Sequence, residues 1–121
     1  MRVRLSLVSV LLGCFALRVG AVSASRAYAF SFFRGNGEAG VYLAVSEDAL
    51  SWREVNGGKP VLAPQVGGRL TRDPSVCRGP DGAYHMVWTT SWKDNGFGVA
   101  HSTNLLDWSE QAYVAVNADE P

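Results

Sequence analysis

The chain has 121 residues, enough for one small domain at most. Its 11 Lys plus Arg balance 11 Asp plus Glu, so the net charge is zero, with no basic patch to recruit nucleic acid and no acidic tail of the disordered kind. Four Trp, four Tyr, five Phe and 13 Gly suit an all-β chain, with glycine at tight turns and aromatics on pleated faces.

In chain order, Arg2 and Arg4 precede an apolar run from Leu5 to Leu17, and the small residues Val22 and Ala24 stand before Ser25. This is the pattern of a secretory signal peptide over residues 1–24, cleaved after Ala24, and it predicts a secreted or periplasmic mature chain. The run is shorter than the roughly 20 residues a membrane-spanning helix needs, so no membrane span is expected. The "LLGC" segment, Leu11–Cys14, resembles a bacterial lipoprotein box, but the following Phe15, Ala16 and Leu17 are too apolar for a typical tether. Lipid anchoring at Cys14 therefore ranks second. After cleavage Cys77 stands alone, which excludes an intrachain disulfide and predicts a small buried apolar residue.

The rest of the chain repeats itself. Ala27–Trp52 lies over Ala83–Trp108 without a gap at an offset of 56 residues. Tyr28 falls on Tyr84, Gly40 on Gly96, Ala44 on Ala100, Ser46 on Ser102, Leu50 on Leu106 and Trp52 on Trp108, with Asp48 over Asn104. Each copy predicts an aromatic strand (Tyr28–Phe33, Tyr84–Thr89), a polar turn ending in glycine, and a second strand (Val41–Val45, Phe97–His101). A Ser-x-Asp/Asn-x-Leu-x-Trp corner follows, in which short polar side chains bond backbone amides and the Trp packs as an apolar plug. The second copy is preceded by a strand at Pro74–Arg78 and a Pro80-Asp81-Gly82 turn, and followed by a strand at Ala112–Val116. Four antiparallel strands of this length make one β-propeller blade. The first copy offers three, the third at Pro60–Ala63, and no inner strand of its own. The expected domain is thus residues 25–121, with blades at about 27–64 and 73–117.

These residues carry a resemblance. "RDPSV", Arg72–Val76, then "GPDGAY", Gly79–Tyr84, then "STNLLDW", Ser102–Trp108, at blade spacing are similar to the early blades of glycoside hydrolase family 43, the five-bladed propellers related to arabinanases, xylosidases and invertases. The sialidase Asp box is a lesser match, because "SEDALSW" lacks its usual Gly. The resemblance implies inverting hydrolysis of glycosidic bonds in a carbohydrate with arabinosyl, xylosyl or galactosyl units, and it makes Asp73 the general-base candidate. Pro74 is expected to hold Asp73 extended, and Arg72 to keep it ionised as a base must be. The family's general acid, a Glu, and its pKa-modulating Asp lie in later blades. Glu110, Asp119 and Glu120 do not sit where either belongs. A ring of five such repeats needs about 280 residues. The reading is therefore of an N-terminal fragment of about two blades, inactive by itself, whose missing blades are required for ring closure. A non-catalytic propeller fragment or carbohydrate-binding module is the alternative.

Arg72, Trp88 and Trp92 are the substrate-binding candidates, the indoles as platforms for the apolar face of a sugar. Trp88 alternates with Met86 on a face that packing also claims, whereas Trp92 lies in a loop. His85 and His101 have no partner at metal-ligand spacing, so neither a metal nor any cofactor is expected.

Overall fold

The structure, a computed structural model, describes residues 27–116. The signal peptide, the Cys14 box, Asp119 and Glu120 lie outside the described residues. Among the described residues seven strands form two antiparallel sheets. Sheet one holds β1 (Tyr28–Phe33), β2 (Val41–Ser46) and β3 (Arg53–Glu54) in the order β1-β2-β3. Sheet two holds β4 (Arg72–Arg78), β5 (Tyr84–Thr89), β6 (Gly96–Ser102) and β7 (Ala112–Ala115) in chain order, a four-stranded meander.

The repeat survives as geometry. Tyr28 pairs with Ser46 in sheet one as Tyr84 pairs with Ser102 in sheet two, and Phe33 pairs with Val41 as Thr89 pairs with Phe97. The two corners match bond for bond. Ser46 Oγ accepts from the amide of Ala49 at 2.8 Å, and Asp48 Oδ1 accepts from those of Leu50 and Ser51 at 2.8 and 2.7 Å. Ser102 Oγ accepts from the amide of Leu105 at 2.9 Å, and Asn104 Oδ1 accepts from those of Leu106 and Asp107, both at 2.9 Å. Ala49 and Leu105 hold the same left-handed backbone, with φ of 62° and 69°. Trp52 Nε1 donates to the carbonyl of Ala49, and Trp108 Nε1 to that of Leu105. Only Trp108 plugs the core as the sequence predicts; Trp52 meets the Phe30 ring edge-on at the surface.

Two expectations need correction. The third strand of the first copy is Arg53–Glu54, not Pro60–Ala63. Leu62 still bridges Val41, with amide–carbonyl bonds of 2.8 Å on either side, so two short segments share one edge of β2. Gly57 and Gly58, with φ of 63° and 73°, turn the chain out between them, and Pro60 has no N–H to continue a ladder. Cys77 is exposed rather than buried, because it opposes His85 on the uncovered face of sheet two.

The core lies between the sheets. Val41 and Leu62 from sheet one and its edge pack on Met86, Trp88 and Ala100 from sheet two. Strand alternation divides each sheet into a front and a back. The back of sheet one (Ala29, Ser31, Val41, Leu43) faces the front of sheet two (Met86, Trp88, Gly98, Ala100). Gly98 pairs with Trp88, and a Cβ on it would overlap the indole. That close approach lets the largest side chain of the sheet lie flat on its neighbour.

Candidate functional site

The site candidates gather where β4 begins, at the end of the molecule that also carries the β1–β2 and β5–β6 turns. Arg72 pairs with Thr89, but the next pair is Ser75 with Val87, so Asp73 and Pro74 together oppose Trp88. This is a β-bulge, and Asp73 takes the left-handed conformation at it, with φ of 47°. The sequence predicts an extended Asp73 because proline disfavours helical backbone before it. The bulge overrides that preference, and such a position costs on the order of 1–3 kcal/mol. Asp is among the residues that tolerate it. The strain is held in place from both sides. Ser31 Oγ on β1 donates to the carbonyl of Pro74 at 2.8 Å. Thr71, fully buried, sends both its amide and its hydroxyl to the carbonyl of Gly37, each at 2.9 Å. Asp73 itself is exposed.

Arg72 does not turn toward Asp73. Its guanidinium stacks on the Trp92 ring, 3.9 Å from the centroid, and lies 5.1 Å from that of Phe33. Arg72 Nη1 donates to Asn36 Oδ1 at 2.6 Å, and Trp92 Nε1 donates to the same oxygen at 3.1 Å. One amide oxygen from the first copy thus fixes an Arg and a Trp of the second. The sequence expects Arg72 to keep Asp73 ionised; its guanidinium instead engages Trp92 and Asn36, an Arg–Trp–Asn shelf at the start of β4. Trp92 is 73% exposed, so one face of its ring remains open above the guanidinium. Glu38 closes the rim of the shelf. Its Oε2 accepts from the amide of Asn36 at 3.0 Å, and backbone amides, aided by the Arg72 charge, hold its carboxyl below the usual carboxylate range.

Trp88 is separated from this group by its position. It is 1% exposed on the Gly98 side of the sheet, packed with Met86 and Ala100, and its Nε1 is buried without a partner. It is a core residue with no face to offer a sugar, as its alternation with Met86 allows. Asn36 is the residue sequence reasoning missed. The signal was available, since Asn36 and Trp92 are the same position of the repeat.

Behind the shelf, Asp94 Oδ2 accepts from the Thr90 hydroxyl at 2.6 Å and from the amide of Gly68 at 2.7 Å. Those bonds hold the Asp94 carboxyl below its usual range and pin the linker between the copies against the β5–β6 turn. His85 meets Asp81 at 3.1 Å on an exposed part of sheet two, and no cluster of metal-ligating side chains occurs among the described residues. Among the same residues no helix is long and apolar enough to cross a membrane. A cleft of about 620 Å³ opens elsewhere, between the back of sheet one and the second corner, lined by Leu43, Val45, Leu105 and Leu106. Arg53, Glu54, Asn56 and Asn104 complete its wall, and the Glu54 carboxylate there is paired with Arg34.

A family model described as "Probable glycosyl hydrolase domain", of the family 43-related kind, matches residues 23–121, which spans both sheets and the whole of the shelf. Neither a curated protein nor a solved structure matches the chain. The chain belongs to the family 43-related glycosyl hydrolase domains.

Proposed function

We propose that this domain contributes the general-base side of an inverting glycosidase centre, with Asp73 as the base and the Arg72–Trp92 shelf as a sugar platform. The observation that carries the reading is Asp73 itself, an exposed carboxylate on a strained bulge next in sequence to Arg72, whose guanidinium lies on the exposed Trp92 ring. Bulges re-aim side chains and recur next to active sites. In the reaction Asp73 takes a proton from a water as that water attacks the anomeric carbon, and the leaving oxygen receives a proton from a general acid. The acid must stand about 6.5–9.5 Å from the base, to leave room for the water. Glu38 does not fill that role, because its environment favours the ionised form. The two sheets are read as neighbouring blades of a larger propeller, and the acid as a residue of a blade beyond them. Trp92, lying flat on Arg72, stacks under the apolar face of an arabinosyl, xylosyl or galactosyl unit. Export by residues 1–24 brings the domain to extracellular or periplasmic glycan.

Two measurements test the proposal. The 121-residue chain alone should leave aryl arabinosides and galactosides intact, since it provides a base without an acid; hydrolysis by it would place the acid among its own residues. In a complete ring carrying this domain, Asp73→Asn should lower kcat by about 10²–10⁴-fold, the usual contribution of a positioned base. A binding-only module, the reading that the exposed Trp92 also supports, would bind glycan without turnover in either form.

A further inference from the structure

Trp92 stands exposed on the loop after β5, yet its ring is tethered at one face and at its edge. Its Nε1 donates to Asn36 Oδ1 at 3.1 Å, and Arg72 Nη1 donates to the same oxygen at 2.6 Å, while the guanidinium lies on the indole. Indole and guanidinium nitrogens only donate, so they fix which end of the Asn36 amide faces them, and two donors fill both lone pairs of its oxygen. The turn that carries Asn36 is itself docked. Gly35 and Gly37 on either side of it hold φ of 58° and 93°, and the Gly37 amide donates to the Arg34 carbonyl at 3.0 Å. The Gly37 carbonyl takes both the amide and the hydroxyl of Thr71, the residue before Arg72. A Cβ on Gly37 would overlap the Thr71 backbone, so glycine lets the turn come this near β4. Backbone and side chain thus set Asn36 against Arg72 and Trp92 independently.

We propose that Asn36 is the positioning residue of the sugar platform: its one oxygen locks Trp92 onto Arg72 before a sugar arrives, so its contribution appears in affinity and not in the rate of bond cleavage. The inference rests on the reading of Trp92 as a sugar platform and is separate from the role of Asp73. An exposed indole without its N–H bond samples several rotamers, and stacking a sugar on it must then order the ring as well. A ring already ordered avoids that loss, which is how preorganisation raises affinity. The tether also spans the repeat. Asn36 belongs to the turn of the first copy and Trp92 to that of the second, at equivalent positions, so the platform exists only while the two sheets stay docked.

Magnetic resonance of the indole N–H groups in the 121-residue chain reads the tether without any sugar. Trp92→Phe identifies the Trp92 resonance among the four. Its N–H should exchange with water faster in Asn36→Leu, which keeps the shape and removes the acceptor. In Asn36→Asp, which keeps an oxygen for both donors, it should exchange at the wild-type rate. In a ring-complete protein carrying this domain, Asn36→Leu should raise KM for aryl arabinosides roughly tenfold, the size of the lost bonds, with kcat within about threefold of wild type. Asn36→Asp should bring KM back to within about threefold of wild type. Where Asn36→Leu unfolds the chain, Asn36→Ala replaces it. An unchanged Trp92 resonance in Asn36→Leu, a KM unmoved by it, a loss that falls on kcat, or a failure of Asn36→Asp to restore either readout would each overturn the proposal. Wild-type KM in Trp92→Ala would sink the platform reading and this inference together. Wild-type turnover in Asp73→Asn would remove the base and leave the Asn36 comparison intact.

Discussion

Asp73 shows how much one residue can carry that its neighbours in sequence conceal. Proline after an acid predicts an extended strand start, yet the register places two residues opposite Trp88 and turns Asp73 left-handed. The strain predicts a split between side chains. Asp73→Asn should leave the urea midpoint unchanged or slightly raised, because Asn accepts the left-handed region readily. Asp73→Val should destabilise by about 1–2 kcal/mol, because a β-branched residue does not. Equal midpoints for both variants would mean that Asp73 is not held in that conformation in solution. Gly98 gives a second test at this scale. An alanine there forces its Cβ onto the Trp88 ring, and Gly98→Ala should cost about 3 kcal/mol in urea unfolding, at the upper end of overpacking penalties. The sequence singles out Arg72 and Trp92 separately and not as a pair. Only the fold brings Asn36 between them, and the sole hint was that Asn36 and Trp92 share one repeat position.

At the level of elements, the corner after the second strand of each copy was readable almost atom for atom. Ser-x-Asp/Asn specifies its own local bonds, and local bonds need no knowledge of the fold. The two corners also form a natural control pair, because one holds an ionisable Asp48 and the other a neutral Asn104. The amides of Ser51 and Leu50 and the Ser46 hydroxyl hold Asp48 far below the ordinary carboxylate range. A carboxyl depressed in the folded state adds stability above its unfolded value, near about 3.9, and that contribution is lost as pH falls below it. The chain should therefore lose stability between about pH 4 and pH 2, and Asp48→Asn should lessen the loss while leaving the neutral-pH midpoint nearly unchanged. Urea midpoints at the two ends of that range check it; an acid slope identical in the variant would remove Asp48 as its source. Glu38, Asp81 and Asp94 are shifted in the same direction, so some slope remains. The third strand of the first copy was misplaced because two segments, Arg53–Glu54 and the Leu62 bridge, compete for one edge of β2. Propensity favours the apolar "PVLA", but the register of the hairpin reaches Arg53 first.

For the whole molecule, the repeat made the architecture legible. One offset predicts two sheets of like topology, and both antiparallel sheets and their shared core follow it. What the sequence left open was which faces meet, since front and back are set by how one sheet lies on the other. That arrangement buries Trp88, leaves Cys77 in solvent and brings Arg72 to Trp92. We propose that the carboxylate at residue 73 activates the water that cleaves a glycosidic bond. The most direct test compares wild type and Asp73→Asn, in a ring-complete protein carrying this domain, for hydrolysis of aryl arabinosides and galactosides and for binding of the same sugars. A fall of about 10²–10⁴-fold in kcat is expected, with binding and folding retained. Turnover within a few-fold of wild type would contradict it.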